Sequence, residues 1–80
     1  MVSRDQAIAA GRKIDAAADM GSLLKERRKK LGYTQEQVAS SLGYSPRLVG
    51  EIERGRGTVG FDRVMNYATS LGLDIAAFER

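Results

Sequence analysis

The sequence predicts an all-α fold, a compact bundle of four to five helices, and three observations carry that prediction. Apolar residues recur at helical spacing, as in Met20, Leu23, Leu24 and Leu31, and again in Phe61, Val64, Met65, Ala68 and Leu71. One punctuation device appears three times, as "LGYT" from Leu31, "LGYS" from Leu42 and "LGLD" from Leu71. No alternating strand pattern occurs before residue 73. In each device Leu closes a helix, Gly takes the left-handed conformation and the next apolar residue folds back. A Thr, Ser or Asp then stands ready to cap the next element. The stretches between the devices do not resemble one another, so this is not a repeat array.

The N-terminal segment from Gln6 to Ala18 is Ala-rich with Ile8 and Ile14 as its only large apolar residues, and Gly11 interrupts it. A weakly held leader helix or arm is expected over residues 1–19, outside the main domain. The first core helix runs from Met20 to Leu31 and the second from Gln35 to Leu42, where Thr34 and Gln37 stand at capping-box spacing. A third runs from Pro46 to about Arg54, and a fourth from about Phe61 to Leu71, after the Gly-rich loop "GRGTVG". Residues 20–72 form the domain. The tail, residues 73–80, is open to two readings. Leu73, Ile75 and Ala77 alternate as in a strand, whereas Ile75, Ala76 and Phe78 would pack as a short helix behind an Asp74 cap.

Composition narrows the function. Eighty residues, 42% hydrophobic and 29% charged, make one small soluble domain with a single core. With no Cys and no His, the chain can hold no disulfide, zinc-finger ligand set, thiol nucleophile or imidazole base. Its acids form no paired-carboxylate or metal-ligand pattern, and "GRGTVG" follows no strand and lacks a nucleotide-loop motif. No enzymatic activity, cofactor or metal is therefore expected. The N-terminus has neither a signal peptide nor a spanning helix, so a cytoplasmic protein with no membrane partner is expected. The net charge of +3 says less than its placement in "KERRKK" (Lys25 to Lys30) and "ERGRG" (Glu53 to Gly57). Lys25, Arg27, Lys29 and Lys30 spread around the first helix and read mostly as solvated surface.

Function concentrates where the second and third helices meet across "LGYS". Two short helices joined by so tight a turn cross steeply, which is a helix-turn-helix. Ala39 is small at the crossing and Gly43 supplies the positive φ of the turn. Val49 and Ile52 face Val38 and Leu42, while Ser45 caps the third helix with Pro46 at its first position. Where such a motif binds DNA, its second helix presents its N-terminal side chains to base edges in the major groove. Here these are Ser45, Pro46 and Arg47, with Gly50 and Glu51 one turn on. Arg47 suits guanine O6 and N7 together. Glu51 either accepts from cytosine N4 or orients Arg47. Gly50 either permits close approach to the groove or is a tolerated exposed glycine.

"YTQEQVASSLGYSPRLVGEIERGR" resembles the helix-turn-helix of the Cro and phage-repressor-like (XRE) regulators, over about Met20 to Leu73. The downstream "RGTVGFDRVMNYATSLGLDI" resembles the HipB-like branch, small repressors that often serve as antitoxins, although "RGT" replaces the stiffer "KPT". The resemblance implies a dimeric (auto)repressor of double-stranded DNA with a palindromic operator and a HipA-like toxin kinase as partner. It implies that Gln35, Arg54, Arg56 and Thr58 contact the DNA backbone, aided by the amides of Gly55 and Gly57. It makes Arg28 and Glu53 a structural ion pair between helices. It also favours the tail as a strand, with Leu73, Ile75, Ala77 and Phe78 joining two subunits, and that is the reading adopted. Eighty residues leave no room for a ligand-sensing domain, so control is expected from a partner, assembly or degradation. A phage- or plasmid-type repressor without a toxin, and a protein-interaction module that has lost DNA binding, are the alternatives.

Overall fold

The computed structural model describes residues 11–80 as four helices: α1 (Ala17–Lys30), α2 (Gln35–Leu42), α3 (Pro46–Glu53) and α4 (Phe61–Ser70). The core draws Met20 and Leu24 from α1, Val38 and Ala39 from α2, and Val49 and Ile52 from α3. Tyr67 and Ala68 of α4, with Leu71 at its end, complete it. α3 lies between α2 and α1, and α4 closes against α2. No helix among the described residues is long and apolar enough to cross a membrane.

Four left-handed glycines end the four helices. Gly32, Gly43, Gly55 and Gly72 have φ between 73° and 82°. In each case the next residue donates its N–H five residues back: Tyr33 to Arg28, Tyr44 to Ala39, Arg56 to Glu51 and Leu73 to Ala68. The three "LG" devices therefore end their helices as expected, and "ERGR" is a fourth that lacks the leucine. The caps at the other ends also hold. Thr34 Oγ1 accepts from Gln37 N at 3.1 Å while Gln37 Oε1 accepts from Thr34 N at 2.8 Å. Ser45 Oγ accepts from Leu48 N at 3.1 Å, with Pro46 at the first helical position.

Several features differ from the sequence expectation. Residues 1–10 of the expected leader lie outside the described residues, and residues 11–16 are not helical. α1 starts at Ala17 because Asp19 reaches back to accept from Asp15 N and Ala16 N, at 2.9 and 3.1 Å. That places Asp19 inside the first turn of α1, which begins three residues before Met20. In α4, Phe61 is 72% exposed and does not share the core face. Tyr67 takes the core place instead, fully buried between Val64 and Leu71 in the same helical stripe. The tail forms no fifth helix: residues 73–80 have neither helix nor strand, and Asp74 caps nothing. Leu73 and Ile75 are half-buried against the core while Asp74 and Ala76 face solvent, an extended alternation. Ala77 and Phe78 are exposed.

Candidate nucleic-acid interface

The site begins behind α3. Arg28 and Glu53 form a two-pronged ion pair, Nε to Oε2 at 2.7 Å and Nη2 to Oε1 at 3.0 Å, with side chains 8% and 2% exposed. Arg28 Nη1 also donates to the Tyr33 carbonyl at 2.8 Å, tying the end of α1 into the network. Glu53 accepts two further bonds, from Gln35 Nε2 at 3.2 Å and from the Tyr67 hydroxyl. One carboxylate at the last residue of α3 thus receives donors from α1, α2 and α4. No buried side-chain polar atom is left without a partner among the described residues.

This arrangement sets the local electrostatics. Burial pushes the Glu53 carboxyl up, but the bonds from Arg28, Tyr67 and Gln35 outweigh it and hold the group below its ordinary value. Burial first, then donation to Glu53, raises the Tyr67 phenol well above its ordinary range. The bond to Glu53 raises Arg28 further, against the opposing effect of its burial. The pair expected from sequence is therefore present, and Tyr67 belongs to it as well. Gln35, at the start of α2, supports a residue of α3, because its amide donates to Glu53.

α1 and α3 approach closely because of a small residue that the apolar pattern does not single out. A Cβ on Gly21 would lie 2.4 Å from the Glu53 carbonyl oxygen and 2.6 Å from that of Ile52. Gly55 meets the first turn of α1 in the same way, its Cβ position falling 2.5 Å from Ala18 Cα. Gly55 N donates to the Ile52 carbonyl at 3.0 Å, so that amide is not open to a ligand as expected. The one sequence signal for the close approach is the position of Gly21 on the apolar side of α1, beside Met20 and Leu24. Arg27 is not the solvated surface residue expected: its Nε donates to the Leu71 carbonyl at 3.0 Å and caps α4.

The outward side of α3 is open. Ser45, Pro46 and Arg47 are exposed at its start. Arg47 Nε lies 3.3 Å from Glu51 Oε1, with side chains 84% and 23% exposed. Gly50 is not the exposed glycine expected, but buried. The Arg54 guanidinium lies over it, Nη1 falling 3.1 Å from where a Cβ would stand. Arg54 therefore reaches back onto α3 rather than extending along the loop. Arg56 and Thr58 remain exposed on the loop, and the Gly57 Cβ position meets open space.

A pair of eight-residue helices in contact across a short glycine turn, the second locked by its last residue and open on its far side, is the arrangement of a helix-turn-helix. The helix-turn-helix family model HTH_3 matches residues 24–78. The chain belongs to the helix-turn-helix family. An uncharacterized HTH-type transcriptional regulator of Sinorhizobium medicae (strain WSM419) is 32% identical over 59 residues, 74% of this chain and 42% of that protein. A protein of the same description in Rhizobium meliloti (strain 1021) matches to the same extent. The chain thus spans well under half the length of these helix-turn-helix relatives. Among solved structures, a HipB-O4 20mer complex matches with a TM-score of 0.78 at 19% identity, over 86% of this chain and 97% of that one. A HipA-HipB-O2-O3 complex matches with a TM-score of 0.79 at 19% identity and the same coverage. The fold is that of the XRE-type, HipB-like helix-turn-helix.

Proposed function

We propose that this helix-turn-helix chain is a sequence-specific, double-stranded DNA-binding transcriptional regulator, acting as a homodimeric repressor on a palindromic operator. The observation that carries the reading is the outward stripe of α3. Arg47, Gly50 and Glu51 of α3 and Arg54 at its C-cap are spaced i, i+3, i+4 and i+7, so they fall on one side of the helix. Behind the stripe, the Glu53 network fixes α3 to α1, α2 and α4. Arg47 meets bases from the first turn of α3, steered by Glu51, with Ser45 and Pro46 beside it. Gln35, Arg54, Arg56 and Thr58 hold the phosphates, where Lys and Arg supply salt-dependent affinity without sequence information. Two copies joined through Leu73, Ile75, Ala77 and Phe78 would set two half-sites about one helical turn apart. The description of the rhizobial relatives as HTH-type transcriptional regulators supports this reading. The likeness to a HipA-HipB-O2-O3 complex extends it to an autorepressing antitoxin with a HipA-like toxin kinase as partner. A kinase-like neighbouring reading frame whose product co-purifies with this chain would support that extension, and its absence would leave a repressor without a toxin.

The test is selection from random duplexes, then binding to the selected and scrambled duplexes across a salt series. The proposal expects a selected-site Kd of about 10⁻⁸–10⁻¹¹ M at physiological salt, at least about 10³ tighter than for scrambled DNA. Affinities no better than about 10⁻⁴–10⁻⁶ M for every sequence would point instead to an interaction module that has lost specific binding.

A further inference from the structure

A role as phosphate contact for Arg54 does not account for where its guanidinium lies, over Gly50 on α3. Gly is among the poorest residues for a helix interior, and Gly50 sits in the middle of the eight-residue α3. It is buried, and the atoms nearest its Cβ position belong to Arg54, the residue that caps the end of α3. The Arg54 Nη1, Cζ and Nη2 atoms lie 3.1, 3.7 and 3.7 Å from the position its Cβ would take. Any larger residue at position 50 must push that guanidinium away. Arg54 follows the last residue of α3, yet its charged end lies one turn back, over Gly50. Its backbone N donates to the Gly50 carbonyl at 3.0 Å, but among the described residues its side chain has no hydrogen bond or ion pair, whereas Arg47 is paired with Glu51.

We propose that Arg54 is a second specificity-determining residue, seated on Gly50 so that its guanidinium enters the same groove as Arg47 and bonds guanine O6 and N7. This rests on the DNA-binding reading above and changes the role of Arg54 from phosphate contact to base contact. The two roles differ chemically. A phosphate accepts a Lys ammonium nearly as well as a guanidinium, whereas the two-pronged contact to guanine needs the planar fork. The role of Gly50 is to leave room for the fork, at the expense of helix propensity.

The test uses the whole chain, the duplex it selects from a random pool, and a scrambled duplex. The readout is the ratio of the two affinities at fixed salt. Arg54→Lys should lower that ratio about tenfold, in line with about 1–3 kcal/mol for a two-pronged base contact, while leaving the affinity for scrambled DNA nearly unchanged. Gly50→Leu should raise the thermal midpoint through better helix propensity yet lower the ratio about as far. In an Arg54→Ala background Gly50→Leu should lower the ratio no further, because both act through one contact. Retention of the full ratio by Arg54→Lys would return Arg54 to the phosphates and overturn the proposal. A loss from Gly50→Leu that persists in the Arg54→Ala background would assign Gly50 to close approach of the helix backbone and overturn it equally. Failure of the unsubstituted chain to select any sequence would instead remove the DNA-binding reading on which the proposal stands.

Discussion

Glu53 ends α3, and its two oxygens accept from Arg28, Gln35 and Tyr67 at once. Glu53→Gln leaves the Arg28 charge buried without its counter-charge, so a loss of about 3–5 kcal/mol is expected from urea unfolding. Tyr67→Phe removes one donor to a charged acceptor and should cost about 1.5–3 kcal/mol. The same groups set the pH dependence. The folded Glu53 value lies below its ordinary one, so its contribution is complete above about pH 4.3 and is lost as pH falls through the lower, folded value. The folded Tyr67 value lies above its ordinary one, so its contribution is complete below about pH 10 and is lost as pH rises beyond that. Urea midpoints measured across pH should therefore fall at both extremes, with a shallower acid limb in Glu53→Gln and a shallower alkaline limb in Tyr67→Phe. The Arg28–Glu53 pair is legible in sequence because the family resemblance supplies both positions. Tyr67 is not, because a pattern built on large apolar residues places Phe61 on the inner face of α4. Phe61 lies at the first turn, beyond the reach of the core. The correct stripe runs from Val64 through Tyr67 and Ala68 to Leu71.

Helix termini are the most readable elements, because the groups that cap them lie within a few residues in sequence. Ser45→Ala should cost about 1 kcal/mol and speed amide exchange in the first turn of α3, since it frees the Leu48 N–H. The crossing of α1 over α3 is unreadable, because it depends on residues far apart in the chain meeting backbone to backbone. Gly21→Ala provides its test. Helix propensity alone predicts a gain of about 1 kcal/mol, whereas a Cβ placed 2.4 Å from the Glu53 carbonyl oxygen must drive the helices apart. A net loss of about 1–3 kcal/mol is expected from denaturant unfolding, as for other overpacked sites. Because the displaced group is the backbone of Glu53, the ion pair should loosen as well. The basic run on α1 shows the same limit of local patterning. Arg27 and Arg28 are adjacent in sequence, yet one caps α4 and the other is buried against α3.

At the scale of the molecule, helical periodicity and the repeated glycine stops predict an all-α bundle, and the described residues form four helices around one core. The tail is not a fifth helix, and its alternation places Leu73 and Ile75 against the core with Asp74 and Ala76 toward solvent. An extended segment needs another strand to become part of a sheet, and a second copy of this chain is the proposed source. Sedimentation of the chain truncated after Leu73 tests that assignment. A shift from dimer to monomer is expected, and an unchanged dimer would place the interface elsewhere. The outward side of α3 carries the central claim, that this surface reads base sequence. The most direct measurement is sequence selection from a random duplex pool by the unsubstituted chain and by Arg47→Ala in parallel. The account predicts that Arg47→Ala loses preference at one base pair of each half-site, by about 1–3 kcal/mol, and keeps its preferences elsewhere. An unaltered set of preferences would contradict it.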